Sequence, residues 1–196
     1  MPIQFSTPRL RLRQWRISDF EPFAALNADP AVMACFPETL TADESHAMAR
    51  HIQRLIAQRG WGLWAVEVPG EASFIGFVGL HEPALTLPCS PCIEIGWRLA
   101  RAYWGRGYAT EAASGALLVG FELLDMTEIV SFTNEHNRRS RAVMERLGMH
   151  HGGEHFLHPD MPANSALAPH VLYRLTQAQW RADPRGRRVD AAPLST

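Results

Sequence analysis

Ile93-Glu94-Ile95-Gly96-Trp97-Arg98-Leu99 alternates its side chains as a half-buried strand does. A short bend follows, then Trp104-Gly105-Arg106-Gly107-Tyr108-Ala109-Thr110, then an Ala/Leu-rich run that ends near Leu124. A strand, a glycine-rich turn and a helix, in that order, make a site for a phosphorylated ligand. The N–H groups of the turn and the positive end of the helix both face the anion. Gly105 and Gly107 lack a Cβ, so a diphosphate can lie directly against their amides. Arg106 adds positive charge, unless its side chain points to solvent instead, which the sequence equally permits. Behind the turn, Ala109, Ala112, Ala113, Ala116 and Gly120 are small enough for the helix to pack closely on a sheet.

Outward from this stretch, the rest of the chain supplies the sheet and its helices. Residues 9–15 alternate charged and apolar side chains, as a strand with one buried face does. Ser18-Asp-Phe-Glu21 has the spacing of a capping box, and Thr41-Ala-Asp-Glu44 repeats it at the head of a helix that stops at Gly60. Ala47, Ile52, Leu55 and Ile56 form that helix's apolar stripe. Leu63–Val68 and Phe74–His81, joined by Pro69-Gly70-Glu71, read as a hairpin. Beyond the central helix come a strand over 128–133, a helix from Asn137 closed by Gly148, and two strands over 149–156 and 170–175. Thr176 to Trp180 reads as a short helical turn. The pattern predicts a mixed α+β domain, a sheet with helices on its faces. It spans residues 1–180, and a solvated tail follows over 181–196, where periodicity is lost.

Composition narrows the function. The chain has 196 residues, 46% of them hydrophobic, and a formal net charge of -1, which describes a globular domain with no overall attraction to nucleic acid. Its start lacks the layout of a signal peptide, and no apolar run approaches the ~20 residues of a membrane span. The expectation is a cytoplasmic protein without membrane or nucleic-acid partners. A homodimer is the commonest soluble assembly, and nothing in the sequence specifies one. Cys89-Ser-Pro-Cys92 is a single CxxC without a second ligand pair, followed by a strand rather than a helix, so it reads as two thiols beside a Pro-rich loop. His155, His158 and His170 come with no acidic or cysteine ligand set of recognisable spacing, and no metal is expected.

Two other readings of Gly105-x-Gly107 compete with the phosphate cradle. A dinucleotide fingerprint needs a glycine or alanine at position 110, which is Thr110, and an acid ending the next strand, which ends in Phe132-Thr133. A purely structural glycine turn would be the favourite if the pair stood alone.

It does not stand alone. Trp104-Gly105-Arg106-Gly107-Tyr108-Ala109 resembles motif A, (Q/R)-x-x-G-x-(G/A), of the GNAT acetyltransferase superfamily, with Trp104 at the first position. Within Tyr-Trp-Gly-Arg-Gly-Tyr-Ala-Thr-Glu-Ala that substitution is similar to the ribosomal-protein N-acetyltransferase branch (RimJ/RimL type). So are Thr7-Pro-Arg-Leu-Arg-Leu-Arg13, Ile93-Glu-Ile-Gly-Trp-Arg-Leu99, and Asn137-x-x-Ser140 leading to Met144-Glu-Arg-Leu-Gly-Met149. The four segments stand in order over roughly residues 7–180.

The resemblance implies a mostly antiparallel sheet with one splayed parallel pair, and an enzyme that moves the acetyl group of acetyl-CoA to a primary amine in a ternary complex. Trp97 and Leu99 would hold the pantetheine arm through backbone groups, the 104–110 amides the pyrophosphate, and Asn137 and Ser140 the arm or the sulfur. Glu94 is the candidate base, though an alternating strand equally permits an outward-facing polar residue there. His81 is the reserve base or an acceptor contact. Many relatives protonate the thiolate with a tyrosine seven residues after the helix asparagine. Met144 stands there in this chain, which leaves Ser140. The acceptor pocket would be lined by Phe36 to Leu40 and by residues 157–169, with a protein N-terminus and a small-molecule amine both open as its ligand. A transferase for a longer acyl group and a non-catalytic acyl-CoA-binding module are the alternatives.

Overall fold

The structure, a computed structural model, describes residues 1–162 and 164–183 and the backbone of Ala192–Pro193. Its strands are β1 (Phe5–Ser6), β2 (Arg11–Arg13), β3 (Leu63–Val68), β4 (Ala72–His81), β5 (Glu94–Leu99), β6 (Glu128–Asn134), β7 (His150–Leu157), β8 (Pro169–Thr176) and β9 (Ala192–Pro193). They form one sheet in the order β7-β8-β6-β5-β4-β3-β2-β1-β9. Every pairing is antiparallel except β5 with β6. The helices are α1 (Phe20–Asn27), α2 (Ala42–Arg59), α3 (Tyr108–Leu118), α4 (Arg138–Arg146) and α5 (Gln177–Ala182).

Local chemistry explains most of these boundaries. Thr41 caps α2 as its spacing predicts: Glu44 N donates to Thr41 Oγ1 at 3.3 Å, and Thr41 N donates back to Glu44 Oε2 at 2.8 Å. Gly60, at φ +83°, ends the helix in the left-handed conformation. Its buried stripe is Ser45, Ala49, Ile52 and Ile56, and Leu55 flanks it half-buried. Ala47, expected in the stripe, is exposed on the opposite side of the helix because about 100° per residue turns it away. The predicted Ser18 cap is displaced. A 3-10 turn over Ile17–Asp19 precedes α1, and Asp19 is drawn inward to meet Arg13.

Helices α1 and α2 cover one face of the sheet, where Phe23 packs on Phe74 and Phe77. α3 covers the other. A side chain at Gly115 would strike the Phe5 ring at 2.6 Å, and one at Gly120 would strike Ile129 at 2.7 Å, which accounts for the small residues along this helix. After Leu118 the helix widens into a π-turn over Val119–Leu123. Within the stretch read as a tail, Arg181 and Ala182 end α5 and Ala192–Pro193 pair with β1. Residues 184–191 and 194–196 lie outside the described residues. No described helix is long and apolar enough to cross a membrane.

Candidate active site

β5 and β6 are joined at one end only. Their register holds a single pair, Glu94 with Val130, tied by Val130 N donating to Ile93 O at 2.8 Å. Beyond it β5 bonds only β4, and β6 follows β8, so a gap opens in the sheet. The direction of the backbone groups follows from strand parity. Ala100 N donates to Ile75 O, so positions 98, 96 and 94 exchange bonds with β4 and positions 95, 97 and 99 face the gap. Two of those carbonyls are engaged: Ile95 O accepts from Ser131 Oγ at 2.9 Å, and Leu99 O from the Trp104 indole N–H at 2.8 Å. The Trp97 N–H and C=O and the Leu99 N–H remain directed into the gap. Trp97 thus presents both of its backbone groups to the gap, and Leu99 its N–H alone.

The glycine turn stands at the open end of this gap. Gly105 and Gly107 have φ of +74° and +80°, a conformation that disfavours any residue with a Cβ. Gly107 is the N-cap of α3, and no side chain caps the helix's first turn, so its leading amides face outward. Trp104, whose indole is tied to Leu99 O, fixes the start of the turn, and the Arg139 guanidinium lies 4.5 Å over its ring. Arg106 turns away: its guanidinium pairs with Glu71 at 2.8 Å. The charge that does bear on the turn comes from the other end of the chain. Arg9 donates to Arg106 O at 3.0 Å, lies 4.8 Å over the Tyr108 ring, and pairs with Glu111 at 2.6 Å. Glu111 also accepts from Thr7 Oγ1 at 2.7 Å. Ala109 and Thr110 lie half-buried in the same first turn.

On the α1–α2 face of β5, Glu94 and His81 are cross-strand partners, with His81 Nε2 and Glu94 Oε2 2.9 Å apart. Burial pulls the His81 pKa down, but the hydrogen bond and charge of Glu94 outweigh it, and the ring is held above its usual 6.5. Asn137 caps α4: its Oδ1 accepts from Ser140 N at 3.2 Å, and its Nδ2 donates to Thr133 Oγ1 at 2.9 Å. Both ends of that amide are used within the protein. The Ser140 hydroxyl, half-buried in the first turn of α4, makes no hydrogen bond among the described residues. Met144 is buried in the core.

This arrangement is a recognisable one. A model of the acetyltransferase (GNAT) domain matches residues 9–150. The chain belongs to the GNAT acetyltransferase family. It is similar to the FsC-acetyl coenzyme A-N(2)-transacetylase of Aspergillus fumigatus, 31% identical over 162 residues, 79% of this chain and 68% of that one. Its fold matches a GNAT-family acetyltransferase from Bacillus anthracis with a TM-score of 0.74 at 22% identity, covering 90% and 99% of the two chains. It matches an acetyltransferase from Agrobacterium tumefaciens at 0.69 and 29% identity, covering 89% and 94%. The chain is thus an acetyl-CoA-dependent N-acetyltransferase, and the bare glycine turn with the gap beside it fits a thiol cofactor carrying a pyrophosphate.

Several residues near the candidate site escaped the sequence. Arg9 and Glu111, 102 positions apart, reach each other only because β1 and β2 run beside α3. Arg98 resembled an outward-facing strand residue. It lies half-buried under the Phe36 ring, 4.2 Å away, and donates to the buried Asn27 at 2.7 Å. Phe36 itself is 39% exposed. The Cys89 and Cys92 sulfurs lie 2.8 Å apart; burial and then the neighbouring Cys89 push the Cys92 thiol up to about 12. His158 and His170 pack together at 4.8 Å, and His170 Nδ1 donates to Ala168 O at 3.0 Å. Among the described residues no group of three or more side chains could hold a metal.

Proposed function

We propose that this single domain moves the acetyl group of acetyl-CoA to a primary amine by direct attack in a ternary complex. The observation that carries the reading is the single-pair junction of β5 and β6, with the Glu94–His81 pair on the acceptor face at that same junction. The Trp97 backbone would hold the arm as another strand does. The first amides of α3 would hold the pyrophosphate, with Arg9 and Arg139 beside them. The amine nitrogen attacks the thioester carbon, the C–N bond forms, and the C–S bond breaks to release the thiolate. Glu94 takes the amine's proton, with His81 sharing the charge. A backbone N–H facing the gap donates to the developing oxyanion. Ser140 is the proposed proton donor to the sulfur, and a thiolate with an ordinary pKa of about 8.5 needs little help to leave. The four segments at 7–13, 93–99, 103–112 and 137–149 support the narrower likeness to the RimJ/RimL branch.

Glu94→Gln is expected to lower kcat by about 100-fold or more, the range of a lost general base, with coenzyme A affinity unchanged. Thiol release across an amine panel measures the first and calorimetry the second. Tight coenzyme binding with no turnover on any amine would support a binding module instead.

The Glu94–His81 pair also sets the pH profile. A protonated His81 holds the Glu94 charge, so the pair must lose a proton before it can accept one from the amine. kcat/KM should rise as His81 loses its proton, through an apparent pKa above 6.5. His81→Gln should remove that limb. For stability the sign is opposite. A raised histidine pKa stabilises the fold fully below its unfolded value, and this contribution fades as pH rises through the folded one. Urea midpoints at pH 6 and pH 9, compared between wild type and His81→Gln, measure it.

A further inference from the structure

β5 turns Glu94, Gly96 and Arg98 to the same face, by the same parity that sends 95, 97 and 99 to the gap. Gly96 is the middle of the three, and the space above it is open. A Cβ built there comes near a single atom, Glu94 Oε1, at 4.0 Å. A bare patch of strand is thus flanked by a carboxylate on one side and a guanidinium on the other, directly beside the point where the sheet parts.

The guanidinium lacks a counter-charge. Arg98 Nη1 donates to the neutral amide of Asn27, and Nε is covered without any hydrogen-bond partner. Its remaining neighbours are the faces of Phe36 and Phe77, 4.2 and 5.5 Å from the guanidinium carbon. Among the described residues no carboxylate forms an ion pair with it. Arg13, the other inward-facing arginine of the sheet, has Asp19 and Glu67. Burial alone lowers the Arg98 pKa to about 10, with no acid near enough to oppose it. A partly buried cation without an anion is costly to keep, and an arginine fork suits a planar carboxylate.

We propose that the acceptor is a small amino acid, whose amine lies over Gly96 beside Glu94 and whose carboxylate is held by Arg98. This rests on the N-acetyltransferase reading and adds the acceptor's class to it. Glu94 and Arg98 are four residues apart, about 13 Å along a strand at roughly 3.3 Å per residue, and the Glu94 carboxylate leans over Gly96, its Oε1 4.0 Å from a Cβ built there. The space between suits an amine and a carboxylate a few bonds apart. A polyamine fits poorly, because its second ammonium would meet the unpaired guanidinium.

The test is acetyl-CoA-dependent thiol release with the full chain on matched acceptors. These are the common α-amino acids with β-alanine and γ-aminobutyrate, the carboxamide of each, the matching amines without a carboxyl group, aminomethylphosphonate, and C-terminally amidated peptides. The expected result is turnover concentrated among the carboxylates, with kcat/KM for the best of them at least ~30-fold above its own carboxamide. Arg98→Gln should raise KM for that acceptor about 100-fold with kcat little changed, as the loss of a contact made equally before and during reaction predicts. Coenzyme A affinity of Arg98→Gln, unchanged from wild type, shows that the variant is folded. Equal rates on carboxylate and carboxamide, or preference for the phosphonate, the plain amines or the amidated peptides, would overturn the acceptor class while leaving N-acetyl transfer standing. Coenzyme binding without turnover on any acceptor would overturn both.

Discussion

Gly107→Val is expected to abolish measurable coenzyme A binding, a loss of at least ~100-fold in affinity by calorimetry. Two effects act together. Gly107 holds φ +80°, where a β-branched residue is strained by about 1–3 kcal/mol, so the turn must change shape to admit it. A Cβ at this position would lie 3.4 Å from Arg9 Nη2, so the valine methyls beyond it would crowd the guanidinium whose Nη1 donates to Arg106 O. The first amides of α3 would then point away from the diphosphate that they are proposed to cradle. The fold itself should survive, because Gly107 is exposed and the core lies behind Ala112 and Ala116. Circular dichroism matching wild type, together with lost binding, is the expected pair of results. Retained affinity would remove the phosphate cradle from this turn.

The second large effect is on stability. Asp19→Ala should cost about 3–5 kcal/mol, the range for removing one partner of a buried ion pair. Arg13 and Asp19 each have only 1% of their side-chain surface exposed, and they meet in a two-pronged fork of 2.8 Å bonds. Arg13 also donates to Glu67, Gln14 O and Ser73 O, so every N–H of its guanidinium is used. Removing Asp19 leaves that charge half-satisfied beneath the β3–β4 hairpin. It also takes the acceptor from Arg16 N, which starts the turn into α1. At 2–4 °C per kcal/mol for a domain of this size, the melting temperature should fall by roughly 6–20 °C. Arg13→Met combined with Asp19→Leu should recover most of the loss, because Glu67 keeps its pairing with Arg11 at 3.0 Å and the apolar pair then leaves no charge without a partner. A double variant no better than the single would place the cost elsewhere.

Arg13 also marks where sequence reasoning stops. Arg-Leu-Arg-Leu-Arg over residues 9–13 reads as a strand with charges outward, and period-two alternation cannot tell a solvated arginine from one buried under a neighbouring hairpin. The paired strand is shorter than that run, Arg11–Arg13, and Arg9 leaves it to clamp α3. The same blindness hid Arg98. In both cases a partner lies far off in the chain, Glu67 for Arg13 (beside the nearer Asp19) and Asn27 for Arg98, and long-range pairing leaves no local periodicity. What is set locally was legible: the Thr41 capping box, the Gly60 and Gly148 stops, the β3–β4 hairpin and the strand–turn–helix order of the central stretch.

The candidate site divides in the same way. The glycines could be placed because a backbone that must lie bare excludes side chains, a constraint visible in residue type alone. Trp104 as the tie to Leu99 O could not be foreseen, since it depends on where a bulky indole folds back across five residues. Nor could the turning of Arg106 toward Glu71, on the opposite hairpin. Glu94 and His81 were both visible as candidates, and only the antiparallel register of β4 and β5 makes them one pair.

Amide hydrogen exchange with and without coenzyme A tests the central claim most directly. Docking of the pyrophosphate on the α3 turn and of the arm in the β5–β6 gap should slow the amides of Trp97, Leu99 and residues 105–110 by 10-fold or more, with little change in β1–β3 and α2. Protection confined to another part of the sheet, or coenzyme binding that leaves the 105–110 amides exchanging as before, would contradict it.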